Sequence, residues 1–184
     1  VFMFGYVFKS KQQYFAIFVF IGITFWDFFN KCLIQSVKLI KANKPIVSKV
    51  YIPKFILILV KIGVNGFKMF ISLLIIVAML AVWRVPITYN VIYIIPILMT
   101  LIVLVFGFSC YLLHYGVFVE DLSNVLNIAL RFLFYLTGIF WSIMDRLPAP
   151  YNSYIGRCNP IAFLLTSARD CVIYGSTPHR KLLL

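Results

Sequence analysis

The stretch Phe55–Trp83, FILILVKIGVNGFKMFISLLIIVAMLAVW, decides what kind of chain this is. From Ile71 to Val82 only Ser72 interrupts the apolar residues, so no alternation of greasy and wet positions survives. A helix rises 1.5 Å per residue and a bilayer's hydrocarbon core is about 30 Å thick, so about 20 such residues cross it. A strand of an outer-membrane barrel would alternate apolar and polar side chains. With no water in the hydrocarbon, the backbone must satisfy its own hydrogen bonds, and the stretch is therefore a helix.

Working outward, Tyr14–Ile34, Val91–Tyr115 and Asn124–Ile143 pass the same test. The whole 184-residue chain is 63% hydrophobic and 12% charged, with a mean hydropathy of +1.00. Soluble domains sit nearer about 45–50% apolar and about 25% charged. That excess of apolar residues also excludes disorder. The net charge of +12 invites a nucleic-acid reading, but the lysines lie between apolar runs and form no compact basic module, so no nucleic-acid partner is expected. The fold class expected is an all-α polytopic membrane protein with four complete transmembrane helices, at about 14–34, 55–83, 91–115 and 124–143. Val1–Phe8 reads as the tail of a further spanning helix whose beginning is absent, and Leu182–Leu184 as the opening of another. The chain is thus expected to be a fragment, with residues 1–184 forming one transmembrane domain.

Charge orients the bundle. Lys31, Lys38, Lys41, Lys44, Lys49 and Lys54 fall around one connection without an acidic residue among them, and the positive-inside rule places that connection in the cytoplasm. The segments 9–13, 84–90 and 145–181 then lie outside, and 116–123 inside. The connecting stretch 35–54 contains Ser36–Lys49, which reads as a short helix on the membrane surface, held by anionic lipid or docked to a cytoplasmic partner, with Pro45 as its break. Asn159–Gly175 carries Arg169 and Asp170 at its centre and is short for a span. A re-entrant or interfacial element, started by Asn159-Pro160, fits it better than a crossing that strands two charges in lipid.

Several single residues invite chemistry. Arg131, inside the fourth expected span, would contact a phosphate through its planar guanidinium, or else snorkel or pair with Asp121. Lys61 and Lys68 share a helical face, and Lys68, the deeper, is the better candidate for a conduit. Asp27 and Lys31 stand in the favourable i, i+4 order for a local ion pair. Trp26, Trp83, Tyr89, Tyr93, Trp141, Tyr151 and Tyr154 are expected in the aromatic belt at the membrane interface. The cysteines are too scattered for a metal site, although Cys158 and Cys171 leave room for a disulfide. No Gly-x-x-x-x-Gly-Lys-Ser/Thr loop is present to cradle ATP.

The order of these features resembles the membrane subunit of type 2 ABC exporters that move teichoic acids, O-antigens and capsular polysaccharides, with teichoic-acid translocation permeases the nearest likeness. The residues that carry the resemblance are Asn43–Lys54 (NKPIVSKVYIPK), Val119–Trp141 (VEDLSNVLNIALRFLFYLTGIFW) and Asn159–Gly175 (NPIAFLLTSARDCVIYG). Glu120 departs from the Arg usual in that family, and Thr137-Gly138 from its Ser-Pro, which would soften a kink there. The resemblance implies a pair of such subunits in the plasma membrane of a bacterium, each contacting a cytoplasmic ABC ATPase. ATP and Mg would sit on that partner, and this chain would hold no cofactor or metal and have no catalytic residue. Lys38, Lys41, Lys44, Lys49, Tyr51 and Pro53 would form the coupling helix; Lys68, Arg131 and Tyr135 would face the conduit for a lipid-linked polysaccharide. Pro148, Asn159, Pro160 and Arg169 would belong to an extracellular gate hairpin. An exporter of drugs or lipids is the alternative within the superfamily. An integral-membrane enzyme acting on lipid-linked sugars is less well served, since Asp27, Glu120, Asp121, Asp145 and Asp170 are the only acids.

The orientation has a direct test. A cysteine introduced at Lys44, in a background with the native cysteines replaced, should react with an impermeant thiol reagent only after cells are opened; labelling on intact cells reverses the topology.

Overall fold

The computed structural model describes residues 14–43, 53–85, 88–119, 121–140 and 159–176. Among them every regular element is helical: α1 (Phe15–Ala42), α2 (Lys54–Val82), a 3₁₀ turn (Tyr89–Tyr93), α3 (Ile94–Phe118), α4 (Leu122–Leu136) and α5 (Pro160–Val172). Three helical stretches are long and apolar enough to cross a membrane, Phe15–Ile40, Lys54–Val82 and Tyr89–Gly116.

The centre of the bundle is α1. It packs against α2, α3, α4 and α5, and 61% of its most apolar window is buried, against 22% for α2 and 17% for the span containing α3. Ile17, Phe18, Ile21, Phe25, Phe28, Phe29 and Cys32 are all buried, on more than one side of the helix, as expected of a helix with neighbours all round. In contrast, α2 buries only a seam of Ile58, Ile62, Asn65, Met69, Ile76 and Leu80, spaced three, four or seven apart. On α3 the equivalent seam is Ile97, Leu101, Val105, Ser109 and Leu113. The outer faces of both helices expose Leu59, Phe67, Phe70, Val103 and Phe108, a surface suited to lipid and not to water.

Two expectations are corrected here. The first helix does not stop at Ile34 to leave a separate surface helix from Ser36: α1 runs 28 residues to Ala42. No Gly or Pro lies between Ile34 and Ala42, and lysine is a good helix former. Its end comes at Asn43, whose backbone N–H and side-chain amide both donate to the Leu39 carbonyl, just ahead of Pro45, which disfavours helix in the residue before it. Gly116 of α3 holds this extension in the bundle, because a Cβ there would meet the Val37 carbonyl oxygen at 2.8 Å. The rest of the expected coupling segment, 44–52, lies outside the described residues.

The second correction concerns the span expected at 124–143. α4 has 15 residues, about 22 Å of helix and short of the hydrocarbon thickness. It ends because Gly138 takes a left-handed φ of 67°, open to glycine at no steric cost. Thr137-Gly138 therefore breaks the helix where a softened kink was expected.

α5 closes the end of the bundle where α1 begins and α4 finishes. Asn159 caps it, accepting hydrogen bonds from the N–H groups of Ile161 and Ala162 at 3.1 and 3.2 Å, with Pro160 in the first turn, where its missing N–H costs nothing. At 13 residues it is too short to cross. Its far end reaches the 3₁₀ turn, where Asn90 donates to the Gly175 carbonyl at 2.6 Å. Residues 145–158 and 177–181 of the expected outer hairpin, Pro148 and Cys158 among them, lie outside the described residues. Cys171 is a free thiol, fully buried.

Arg169 joins these pieces. Its side chain is buried and donates from Nε to the Phe18 carbonyl at 3.2 Å, and from its terminal nitrogens to the carbonyls of Gly138 at 3.0 Å and Ile139 at 2.7 Å. The guanidinium lies 3.5 Å above the Phe18 ring centroid, a cation–π contact. Gly22 makes room for it, since a Cβ there would come within 2.5 Å of the guanidinium. Replacing Arg169 with Ala strands the Gly138 and Ile139 carbonyls in a dry interior, while the Phe18 carbonyl keeps its place in the α1 ladder, and should cost about 3–5 kcal/mol. Lys, a point donor without the fork, should restore less than half of that. Gly22→Val should reproduce most of the loss while leaving every donor and acceptor in place. Thermal unfolding of the detergent-purified chain measures all three.

Candidate functional site

Around the axis of α4 the residues divide into three sectors. Leu126, Leu130 and Leu133 pack toward the core. Val125, Ile128, Phe132 and Leu136 are exposed and apolar. Between these sectors Asn124, Asn127 and Arg131 follow one another at three and four residues, one above the next on a helix. Tyr135, one turn on and 71% exposed, continues the row.

This polar row borders a groove of about 540 Å³ between α4 and α1, lined by Asn127, Arg131, Phe134 and Tyr135 on one side and Trp26 and Asn30 on the other. Its floor is aromatic: Trp26 meets Phe134 edge-on at 5.5 Å and Phe29 at 5.8 Å. Phe134 in turn meets Tyr135 and Phe140 at 5.6 and 5.7 Å. Trp26 is buried against Phe29 and Phe134 near the middle of α1, where it packs the bundle. Trp83, Tyr89 and Tyr93 are exposed near helix ends, and Trp141, Tyr151 and Tyr154 lie outside the described residues.

Arg131 makes no ion pair or hydrogen bond among the described residues. Asp121 cannot serve, since ten residues of helix separate the two by about 15 Å. A guanidinium on an apolar helix of a membrane protein pairs, faces a wet cavity or snorkels to the headgroups, and here a polar-lined groove opens beside it. Asn127 turns one amide N–H back to the Ser123 carbonyl at 2.8 Å; with its second N–H and Asn30 beside Arg131, the groove offers donors for an anionic oxygen above an aromatic floor.

The other conduit candidate does not join this groove. Lys68 lines a cleft of about 30 Å³ between α1 and α2 with Thr24, Asp27, Lys31, Asn65 and Ser72. There Lys31 and Asp27 form the expected i, i+4 ion pair at 2.6 Å. Deeper in the same interface Asn65 donates to Gln35 Oε1 at 3.0 Å and to Cys32 Sγ at 3.5 Å, a polar tie that fixes the register of α1 on α2. Of the remaining candidates, Lys38 is exposed near the end of α1 and Lys41 falls within α1. Pro53 is the N-cap of α2, and Lys44, Lys49 and Tyr51 lie outside the described residues. Asn159 is buried and also donates to Thr137 Oγ1 at 3.0 Å, so both ends of α5 grip the broken end of α4.

Sequence reasoning passed over Asn30, Asn127, Asn65 and Gly22. A helical projection of α4 would have shown Asn124, Asn127 and Arg131 in one row. Nothing in the sequence places Asn30 opposite them.

No family model matches the chain. Two curated proteins do, both named O-antigen export system permease protein RfbA, from Klebsiella pneumoniae. Each is 24% identical over 95% of this chain and 67% of its own length. The chain resembles the permeases of O-antigen export. That likeness, running through all five helices, accords with a multi-pass integral membrane protein built from the three long apolar helices.

The wet character of the row on α4 is open to measurement. In a cysteine-replaced background, Cys at positions 127 and 131 should react with a hydrophilic thiol reagent at least about tenfold faster than Cys at 128 and 132, since the thiolate forms only where water reaches it. Equal rates would mean that the row faces lipid.

Proposed function

We propose that the chain is the permease subunit of an ATP-driven exporter that carries a lipid-linked cell-surface polysaccharide, of O-antigen, teichoic-acid or capsule type, across a bacterial plasma membrane. The observation that carries this reading is the likeness to O-antigen export permeases along 95% of the chain. The groove on α4 supports it chemically. A polymer joined to its lipid through a phosphate or pyrophosphate presents anionic oxygens, which Arg131 suits through paired N–H donors, and sugar faces, which suit Tyr135 and the aromatic floor.

The chain works as one of two copies, each engaging a cytoplasmic ABC ATPase that binds the ATP and Mg. Contact comes through the lysine-bearing segment that ends α1 and precedes α2, where Lys38, Lys41, Lys44, Lys49, Tyr51 and Pro53 lie. Because α1 is unbroken for 28 residues, about 42 Å, a displacement at that end is delivered along the helix to Phe18 and so to Arg169. α5, with Asn159, Pro160 and Arg169, then acts as part of a gate at the outer mouth, a two-state element biased from a distant site.

Co-reconstitution of the chain with its partner ATPase in vesicles tests the proposal. ATP should drive polyprenyl-linked glycan across the bilayer. Arg131→Ala should lower that rate about tenfold, the value of a charge-assisted contact to phosphate, with ATP hydrolysis preserved. Lys41→Glu with Lys49→Glu should abolish the stimulation of hydrolysis. Movement of drugs or short lipids in place of glycan favours the alternative exporter. Release of sugar by the chain without its partner would overturn the transport reading.

A further inference from the structure

α2 and α3 each lay their buried seam on α1 and touch one another far less. A cleft of about 340 Å³ opens between them where α2 begins and α3 finishes. Its walls are Phe55 and Ile58 of α2 and Leu113 and Phe118 of α3, and its nitrogen-bearing groups are Lys54 and His114. Lys54 is the first residue of α2, and His114 lies one turn before the end of α3. The polar groups therefore stand at the helix ends, while the apolar walls continue inward between the two helices. His114 is set edge-on against Tyr115 and Phe118 at 5.4 and 5.5 Å, which orients its ring.

Among the described residues no acid lines the cleft; Asp121, the N-cap of α4, follows three residues after Phe118 and is not part of the lining. The first turn of α2 contains no acidic residue, and its N-cap, Pro53, supplies no side-chain acceptor; the Ile56 N–H donates to the Pro53 carbonyl at 3.0 Å, which leaves the N–H groups of Lys54 and Phe55 without a partner inside the helix. Exposed Lys38 belongs to the same lysine-rich end of the bundle. The cleft has the volume of about eleven waters, but its apolar walls give them few partners. An occupant must match both parts, an anion at the mouth and hydrocarbon within.

We propose that this cleft binds one anionic phospholipid of the leaflet on the lysine-rich side. Its phosphate lies against Lys54, His114 and the start of α2, and an acyl chain rests on Phe55, Ile58 and Leu113. The site is separate from the groove on α4 and does not depend on what the chain transports.

Native mass spectrometry of the full chain, with phosphatidylglycerol or phosphatidylcholine of identical acyl chains, tests it. The unaltered chain should retain one phosphatidylglycerol at least about fivefold better than phosphatidylcholine, the preference expected of a cation near a lipid headgroup. Lys54→Gln with His114→Ala should reduce phosphatidylglycerol to the phosphatidylcholine level. Cys110→Trp, which fills the apolar part of the same cleft and leaves its charge alone, should expel the lipid. Lys68→Gln, in the cleft between α1 and α2, should change nothing. Equal retention of the two lipids, undiminished retention after either cleft alteration, or an equal loss with Lys68→Gln would overturn the proposal.

Discussion

The bundle depends on a buried guanidinium that needs carbonyl oxygens in a place where helices ordinarily keep them occupied. Arg169 obtains two of them, at Gly138 and Ile139, because α4 has already unwound there. The third comes from Phe18 in the opening turn of α1, and Gly22 leaves the gap through which the side chain passes. The break in α4 and the charge on α5 thus answer one another. An unpaired carbonyl and an unpaired arginine would each be costly in a dry interior, and together they form a joint between three helices.

Lipid explains the rest of the architecture. A soluble bundle of this size would cover its outer faces with charge, but here α2 and α3 bury single seams and leave the remainder apolar. Helix pairing then cannot come from excluding water, and it falls to small residues and internal polar ties. Gly116 against Val37 and the Asn65–Gln35 bond play these parts. Among the described helices, α4 carries a polar row that would be out of place against hydrocarbon.

Much of this was legible in the residues. The apolar run at 55–83 matches α2 at 54–82, since nothing within it breaks a helix, and the ion pair of Asp27 with Lys31 follows from their spacing. The end of α4 escaped notice because the apolar run continues through Ile139, Phe140 and Trp141; composition records greasiness and not the sign of a backbone angle. The extension of α1 was obscured by its lysines, which suggested a separate surface element, although no residue there interrupts a helix. Arg131 and Tyr135 share a groove because they are one turn apart, whereas Lys68 lies on another helix, and only the packing shows that it faces elsewhere. The cost of Arg169 in lipid was evident from the sequence. Its partners were not, because they lie at least 30 residues away along the chain.

That separation bears on how the protein is made. As the ribosome feeds the chain into the bilayer, α4 precedes α5, so the carbonyls of Gly138 and Ile139 enter before the side chain that donates to them. Relief arrives only when residue 169 has been synthesised. The joint between the first, fourth and fifth helices is therefore completed from the C-terminal side, after the segments it ties together are already in place.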